Sequence, residues 1–171
     1  HGLVLRETDR VLGMQTAEKV IEIRAYGRPA PQGSKTPKGM RGGFTVMVES
    51  SKYLKPWRQA VQCDCREQYH GEVLTGPIEV SIIFYLSRPQ AHYKTKDGIL
   101  TNEIKPNRPT HSISSSDGDL DKLCRGVLDS LSAKCGGCVI QDDSLVVSIT
   151  AEKRYVSDTE GPGADIRVVK R

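Results

Sequence analysis

Apolar and polar positions alternate through Val20-Ile21-Glu22-Ile23-Arg24-Ala25-Tyr26, the period-two pattern of a half-buried strand, and Phe44-Thr45-Val46-Met47-Val48 reads as a second strand. Residues 78–86 are apolar enough to form a central strand. A helix is predicted from Lys55 to about His70, with Pro56 accommodated in its first turn. A second helix is predicted from Leu120 to about Ser132, because Leu120, Leu123, Val127, Leu128 and Leu131 recur at helical spacing and give it one apolar face. The apolar run from Ser144 to Val156 reads as a buried strand, and residues 164–169 as an edge strand after the Gly161-Pro162-Gly163 turn. The order ββαβαββ predicts an α+β domain with two helices packed on one face of a mixed β-sheet. Residues 87–116 form a long polar stretch, and a compact domain seldom keeps so long a loop unless it binds something.

Length and composition fit one ordinary globular domain. The chain has 171 residues, 37% apolar and 27% charged, without an internal repeat, and the domain is expected to span residues 18–171. Residues 1–17 are expected to be a tag remnant, beginning His1-Gly2, or a flexible N-terminal extension, with Met14 as a natural start. No apolar run reaches the length of a membrane span and no secretory signal is visible, so a cytoplasmic protein is expected. The net charge of +4 is modest but unevenly spread. Between Arg24 and Arg58 there are eight basic residues and one acid, Glu49, whereas residues 117–171 hold ten acids and eight bases. That division suits a nuclease, in which cations hold phosphates and anions hold a metal. Arg28, Lys35, Lys38, Arg41, Lys52, Lys55 and Arg58 are therefore the candidate DNA contacts; a merely solvated charged face is the alternative.

The chemistry concentrates in two acidic clusters. Asp119-Leu120-Asp121 opens the second helix and Asp142-Asp143 opens the following strand. Asp at a helix start caps free N–H groups and complements the helix dipole, so the first cluster alone has a purely structural explanation. The second does not: adjacent carboxylates repel and strands disfavour Asp, which implies positive charge close by. Carboxylates from a helix start and a strand start make a hard, all-oxygen donor set of the kind Mg²⁺ requires. No Ser/His/Asp grouping can be argued from spacing, and no phosphate-cradling glycine motif occurs.

Asp119-Leu120-Asp121-Lys122-Leu123, the helix through Val127-Leu128-Asp129-Ser130-Leu131, and Asp142-Asp143-Ser144-Leu145-Val146-Val147 together resemble the RusA family of Holliday-junction resolvases, in the manner of its phage and prophage members. The likeness extends more weakly to the Pro-rich, Gly-containing segment from Tyr26 to Lys35, to Lys55-Pro56-Trp57-Arg58 and to Lys153-Arg154-Tyr155. It implies a structure-specific, Mg²⁺-dependent endonuclease, with Mn²⁺ able to substitute. Such an enzyme resolves four-way DNA junctions by paired symmetric nicks in recombination and repair, leaving 5′-phosphate and 3′-hydroxyl ends, and acts as a homodimer. The family's three essential carboxylates map onto Asp119, Asp121 and Asp143, with Asp142 as an accessory neighbour. Lys122 or Arg125 would stabilise charge on the phosphoryl oxygens. Two departures stand out. Arg125 occupies the place of a functionally important Lys, exchanging a point-like ammonium for a planar fork, and Gly118 stands where a basic residue often precedes the first Asp.

Five cysteines complete the inventory. Cys135-Gly136-Gly137-Cys138 has zinc-knuckle spacing, but Cys63 and Cys65 are separated by one residue on a helix, where neighbouring side chains diverge, so no structural zinc is expected. Cys124 is expected to be a small buried hydrophobe. Two rival functions remain: a non-catalytic binder of branched DNA with the same fold, which leaves the Asp cluster idle, and a metal-dependent phosphohydrolase of nucleotides, which leaves the basic segment superfluous.

Overall fold

The computed structural model describes residues 18–33, 35–49 and 51–171, and the expectation for residues 1–17 lies outside them. The chain is α+β. Its main sheet has four strands in the order β1-β8-β4-β7, where β1 is Lys19–Tyr26, β4 Ile78–Leu86, β7 Val146–Tyr155 and β8 Gly163–Lys170. β8 runs antiparallel to both neighbours, while β4 and β7 are parallel. A parallel pair requires a crossover, and helix α2 (Leu120–Leu131) lies in that connection. Helix α1 (Leu54–Gln68) connects the N-terminal part of the chain to β4.

Both helices pack on one face of the sheet. Ile21, Ile23 and Ala25 of β1, Ile78, Val80, Ile82 and Phe84 of β4, and Ala164, Ile166 and Val168 of β8 alternate inward, as period-two burial demands. Against them α1 sets Leu54, Trp57, Val61 and Cys65, and α2 sets Leu123, Cys124, Val127 and Leu131, each at helical spacing. The helices also meet each other, and Gly126 lets the Pro-rich segment lie close over α2: a Cβ there would sit 3.3 Å from the Ala30 carbonyl oxygen, whereas its 3.4 Å to Leu54 Cδ1 of α1 is ordinary contact. Cys124 is buried as expected, and burial pushes its thiol up to about 11. No helix among the described residues is long and apolar enough to cross a membrane.

Four expectations change. Residues 164–169 belong to an interior strand, since β8 has partners on both sides. Asp165 and Arg167, which suggest an edge, lie on the sheet face without helices, where Asp165 accepts hydrogen bonds from Arg24 and from the Tyr85 hydroxyl at 2.6 Å. The edges are β1 and β7, and β7 is not the buried strand expected from its apolar start: Val147 is 65% and Ile149 45% exposed. β7 also begins later, at Val146, because Asp143–Leu145 form a short 3₁₀ turn. Third, the strand at residues 44–48 does not join the main sheet. β3 (Phe44–Glu49) pairs only with β2 (Lys35–Arg41) in a separate hairpin. Fourth, the polar stretch contains another hairpin, β5 (Tyr93–Lys96) and β6 (Ile99–Ile104), turning at Asp97 (φ 53) and Gly98 (φ 78). Asp-Gly is a strong signal for a two-residue turn with positive φ, and it is present in the sequence. The observed order is therefore βββαβββαββ.

Candidate functional site

The site is built where the start of α2 meets the start of β7. Gly118, at φ +88, leads into α2 with Pro31 directly against it: a Cβ at position 118 would sit 2.8 Å from Pro31 Cβ. No side chain fits there. Asp119 follows with extended backbone (φ −74, ψ 143) as the N-cap, yet its carboxylate makes no capping bond. It pairs instead with Lys122 Nζ at 2.8 Å, and this ammonium holds it below the usual carboxylate range, with Lys153 adding to the effect. Asp121 projects from the first turn and is exposed.

Lys153 brings a cation next to Gly118, where the resemblance leads one to expect a basic residue before Asp119. It comes from β7, opposite Phe84 of β4 and hence on the helix side of the sheet, and its Nζ donates to the Gly118 carbonyl at 2.8 Å. The cation that a residue at position 118 cannot supply past Pro31 arrives from another strand. In the sequence it shows only as part of the weakly family-like Lys153-Arg154-Tyr155 stretch, on the helix-facing side of the strand's alternation.

Asp142 and Asp143 play unequal parts. Asp142 caps the 3₁₀ turn, accepting from the Ser144 N–H at 3.0 Å, and pairs with Lys134 Nζ at 3.1 Å. These partners, the Ser144 backbone first, hold it well below the ordinary range. Lys134 is the positive charge that the paired acids imply. Asp143 is raised instead, by its contact with Asp142, by partial burial and by the nearby charge of Asp129. Asp129 has no place among the expected site residues. It is held by the Gln32 side-chain amide, and the Gln32 backbone N–H in turn donates to the Lys122 carbonyl at 2.9 Å, so the Pro-rich segment lies across α2.

Asp121, Asp143 and Arg125 line one open groove of about 510 Å³ between α2 and β7, floored by Leu120, Leu128 and Ala151. Arg125 abuts Gly33, where a Cβ would come within 3.0 Å of its Nη1. Asp119 stands beside the groove, turned to Lys122, and Asp142 is engaged elsewhere. Among the described residues no three His, Cys, Asp or Glu side chains are already drawn together as a set of metal ligands. The donor chemistry nevertheless suits a hard divalent cation, because all the donors are carboxylate oxygens. Asp143, whose proton affinity is raised by its acidic neighbours, gains most from a cation beside it.

The expected DNA contacts separate into three groups. Arg28 stacks on the Tyr53 ring at 3.8 Å with Lys52 Nζ 5.0 Å from the same ring. Lys35, Lys55 and Arg58 border a second groove along α1 that also includes Gln32 and Cys135, at the end of the 3₁₀ turn that follows α2. Lys38 and Arg41 stand out on the β2 strand of the separate hairpin. Of the cysteines, Cys65 is buried next to Cys138, and burial pushes its thiol up to about 12, while exposed Cys63 is 3.9 Å from Glu67. Protein purified without chelator is expected to carry no stoichiometric zinc by elemental analysis. A full equivalent, lost together with thermal stability on Cys135→Ser, would overturn this.

Asp121 from the first turn of α2 and Asp143 from the 3₁₀ turn before β7 thus face one groove of an α+β fold, with Arg125 beside them. The chain belongs to the RusA family: the family described as Endodeoxyribonuclease RusA matches residues 27–169, most of the chain, and that family consists of DNA-cleaving hydrolases. No curated protein matches the chain closely.

Proposed function

We propose that the protein is a Mg²⁺-dependent endonuclease, Mn²⁺ serving in its place, that resolves four-way DNA junctions by paired symmetric nicks. It acts as a homodimer in the cytoplasm of a bacterial cell or phage-infected host. The observation that carries this reading is the shared groove of Asp121, Asp143 and Arg125, together with a second groove edged by Lys35, Lys55 and Arg58. Asp119, Asp121 and Asp143 would hold the metal, and Asp119 would leave Lys122 to do so. When bound, the metal lowers the pKa of water and polarises the scissile phosphate. Arg125, and Lys122 once released, would bind the phosphoryl oxygens and stabilise the charge that grows on them. Lys134 and the Ser144 N–H fix Asp142, so that Asp143 is presented to the groove and its neighbour is not. A four-way junction has two-fold symmetry, and a C₂ dimer would offer it two such sites in matching orientation.

A labelled junction incubated with and without Mg²⁺ tests the reading. Symmetric nicks that require the ion are expected; tight junction binding without nicks in any divalent metal would favour the non-catalytic rival. Salt gives a second check. Junction affinity should fall as a power of NaCl concentration, and Lys35→Ala or Lys55→Ala should flatten the slope of log K by about 0.9 for each phosphate contact removed. An unchanged slope in both variants would place the DNA elsewhere.

A further inference from the structure

The β2–β3 hairpin is an arm without a body. Its strands pair with each other, and among the described residues no other strand or helix packs extensively against them. Gly39, Gly42 and Gly43 have nothing within 4 Å of where a Cβ would be. An isolated two-stranded hairpin is marginally stable in water, so such an arm gains from a surface to lie on. Near its turn it carries two large apolar side chains, Met40 at 75% and Phe44 at 79% exposure. The register pairs Arg41 with Phe44 and Met40 with Thr45, which puts Phe44 on one face of the ribbon and Met40 on the other. Gly42 (φ 59) and Gly43 (φ 82) close the turn tightly, so the end of the ribbon is narrow.

The charge around this tip selects a partner. β2 contains Lys35, Lys38 and Arg41 and no acid. A single exposed Phe or Met needs no explanation. Two of them on opposite faces of a thin, cationic, otherwise unsupported tip match a polyanion that offers flat apolar surfaces, which is the description of nucleic acid with unstacked bases. The arm is also rooted at the site. Gly33, just before it, lies against Arg125 of the carboxylate groove, and Lys35, its first residue, borders the second groove along α1.

We propose that the β2–β3 hairpin is a wedge that enters the branch point of junction DNA, Met40 and Phe44 stacking on bases freed at the crossover while Lys38 and Arg41 hold the flanking phosphates. This rests on the junction-cleaving reading above. It assigns junction selectivity to the arm and leaves bond cleavage to the Asp cluster. Because the arm stands clear of the core, changes at its tip leave the folded body intact.

The test uses the full chain, without divalent metal, and a synthetic four-way junction carrying 2-aminopurine at the branch. Binding is expected to raise the fluorescence, reporting loss of stacking. The Met40→Ser/Phe44→Ser double variant should abolish that rise and lower junction affinity about 10-fold, the scale of losing base stacking. Its affinity for linear duplex and its melting temperature should not change. A double variant with the full fluorescence rise and full junction affinity would overturn the wedge while leaving the nuclease reading in place. So would a change of oligomeric state in sedimentation, which would make the tip a contact between copies, or a loss confined to binding of phosphatidylserine vesicles. If the unaltered protein binds no junction at all, the nuclease reading itself fails.

Discussion

Asp121→Asn and Asp143→Asn are each expected to slow junction cleavage by about 10²–10⁴-fold, the scale set by losing several kcal/mol of metal-derived transition-state stabilisation. Asn preserves shape and removes one charge from a group that faces the groove, so folding should be untouched. Junction binding should be equal or tighter, because a carboxylate no longer repels the phosphate. Asp119→Asn should behave alike. Asp142→Asn should be milder, since that carboxylate is committed to Lys134 and the Ser144 N–H. Single-turnover cleavage and gel-shift binding measured on the same preparations decide the matter. Wild-type cleavage by Asp121→Asn and Asp143→Asn would remove the groove from the mechanism.

Trp57→Ala is expected to cost about 3–5 kcal/mol of folding stability, read as a shift in the urea midpoint. Trp57 is only 1% exposed, at the centre of the layer between α1 and the sheet, and its ring lies 3.6 Å from where a Cβ on Gly27 would stand. With total stabilities of about 5–15 kcal/mol, one such loss brings a domain close to unfolding. The loss has a functional echo, because Lys55 and Arg58 ride on the same helix and their spacing depends on how α1 sits. Trp57→Phe should cost much less. The indole Nε1 is buried without a hydrogen-bond partner, so Phe gives up volume but also removes an unsatisfied donor. Equal losses for the two substitutions would contradict this account.

Much of this arrangement is legible in the chain. The two helices follow from apolar spacing, and the placement of Asp119 and Asp121 at the head of α2 follows from where that spacing starts. The opposed tendencies at Asp142-Asp143 correctly imply a cation, supplied by Lys134 from the end of the crossover. What escapes is whatever depends on pairing between distant strands. Alternation identifies β8 as a strand but cannot say that it lies inside the sheet, because its polar residues face a side without helices. β7 reads as buried because Val146 and Val147 stand together, whereas its position at the edge leaves Val147 exposed. Lys153 and Asp129 reach the site through tertiary packing: both lie in stretches that carry the family resemblance, but spacing along the chain gives neither a place at the site. The hairpin turns at Gly42-Gly43 and Asp97-Gly98 are the exception: their signals are local and present, and only their separation from the main sheet is a matter of three-dimensional assembly.

Both hairpins interrupt the path between elements of the main sheet without contributing a strand to it. One lies between β1 and α1 and the other between β4 and α2. Loops of this kind can lengthen, shorten or change composition at small thermodynamic expense, since loop-closure entropy grows only slowly with length. The scaffold that presents the carboxylates is thereby insulated from variation in the two arms. Rewriting these two insertions would change the surface presented beside the site, while α2 and the turn before β7 continue to hold the carboxylates in place.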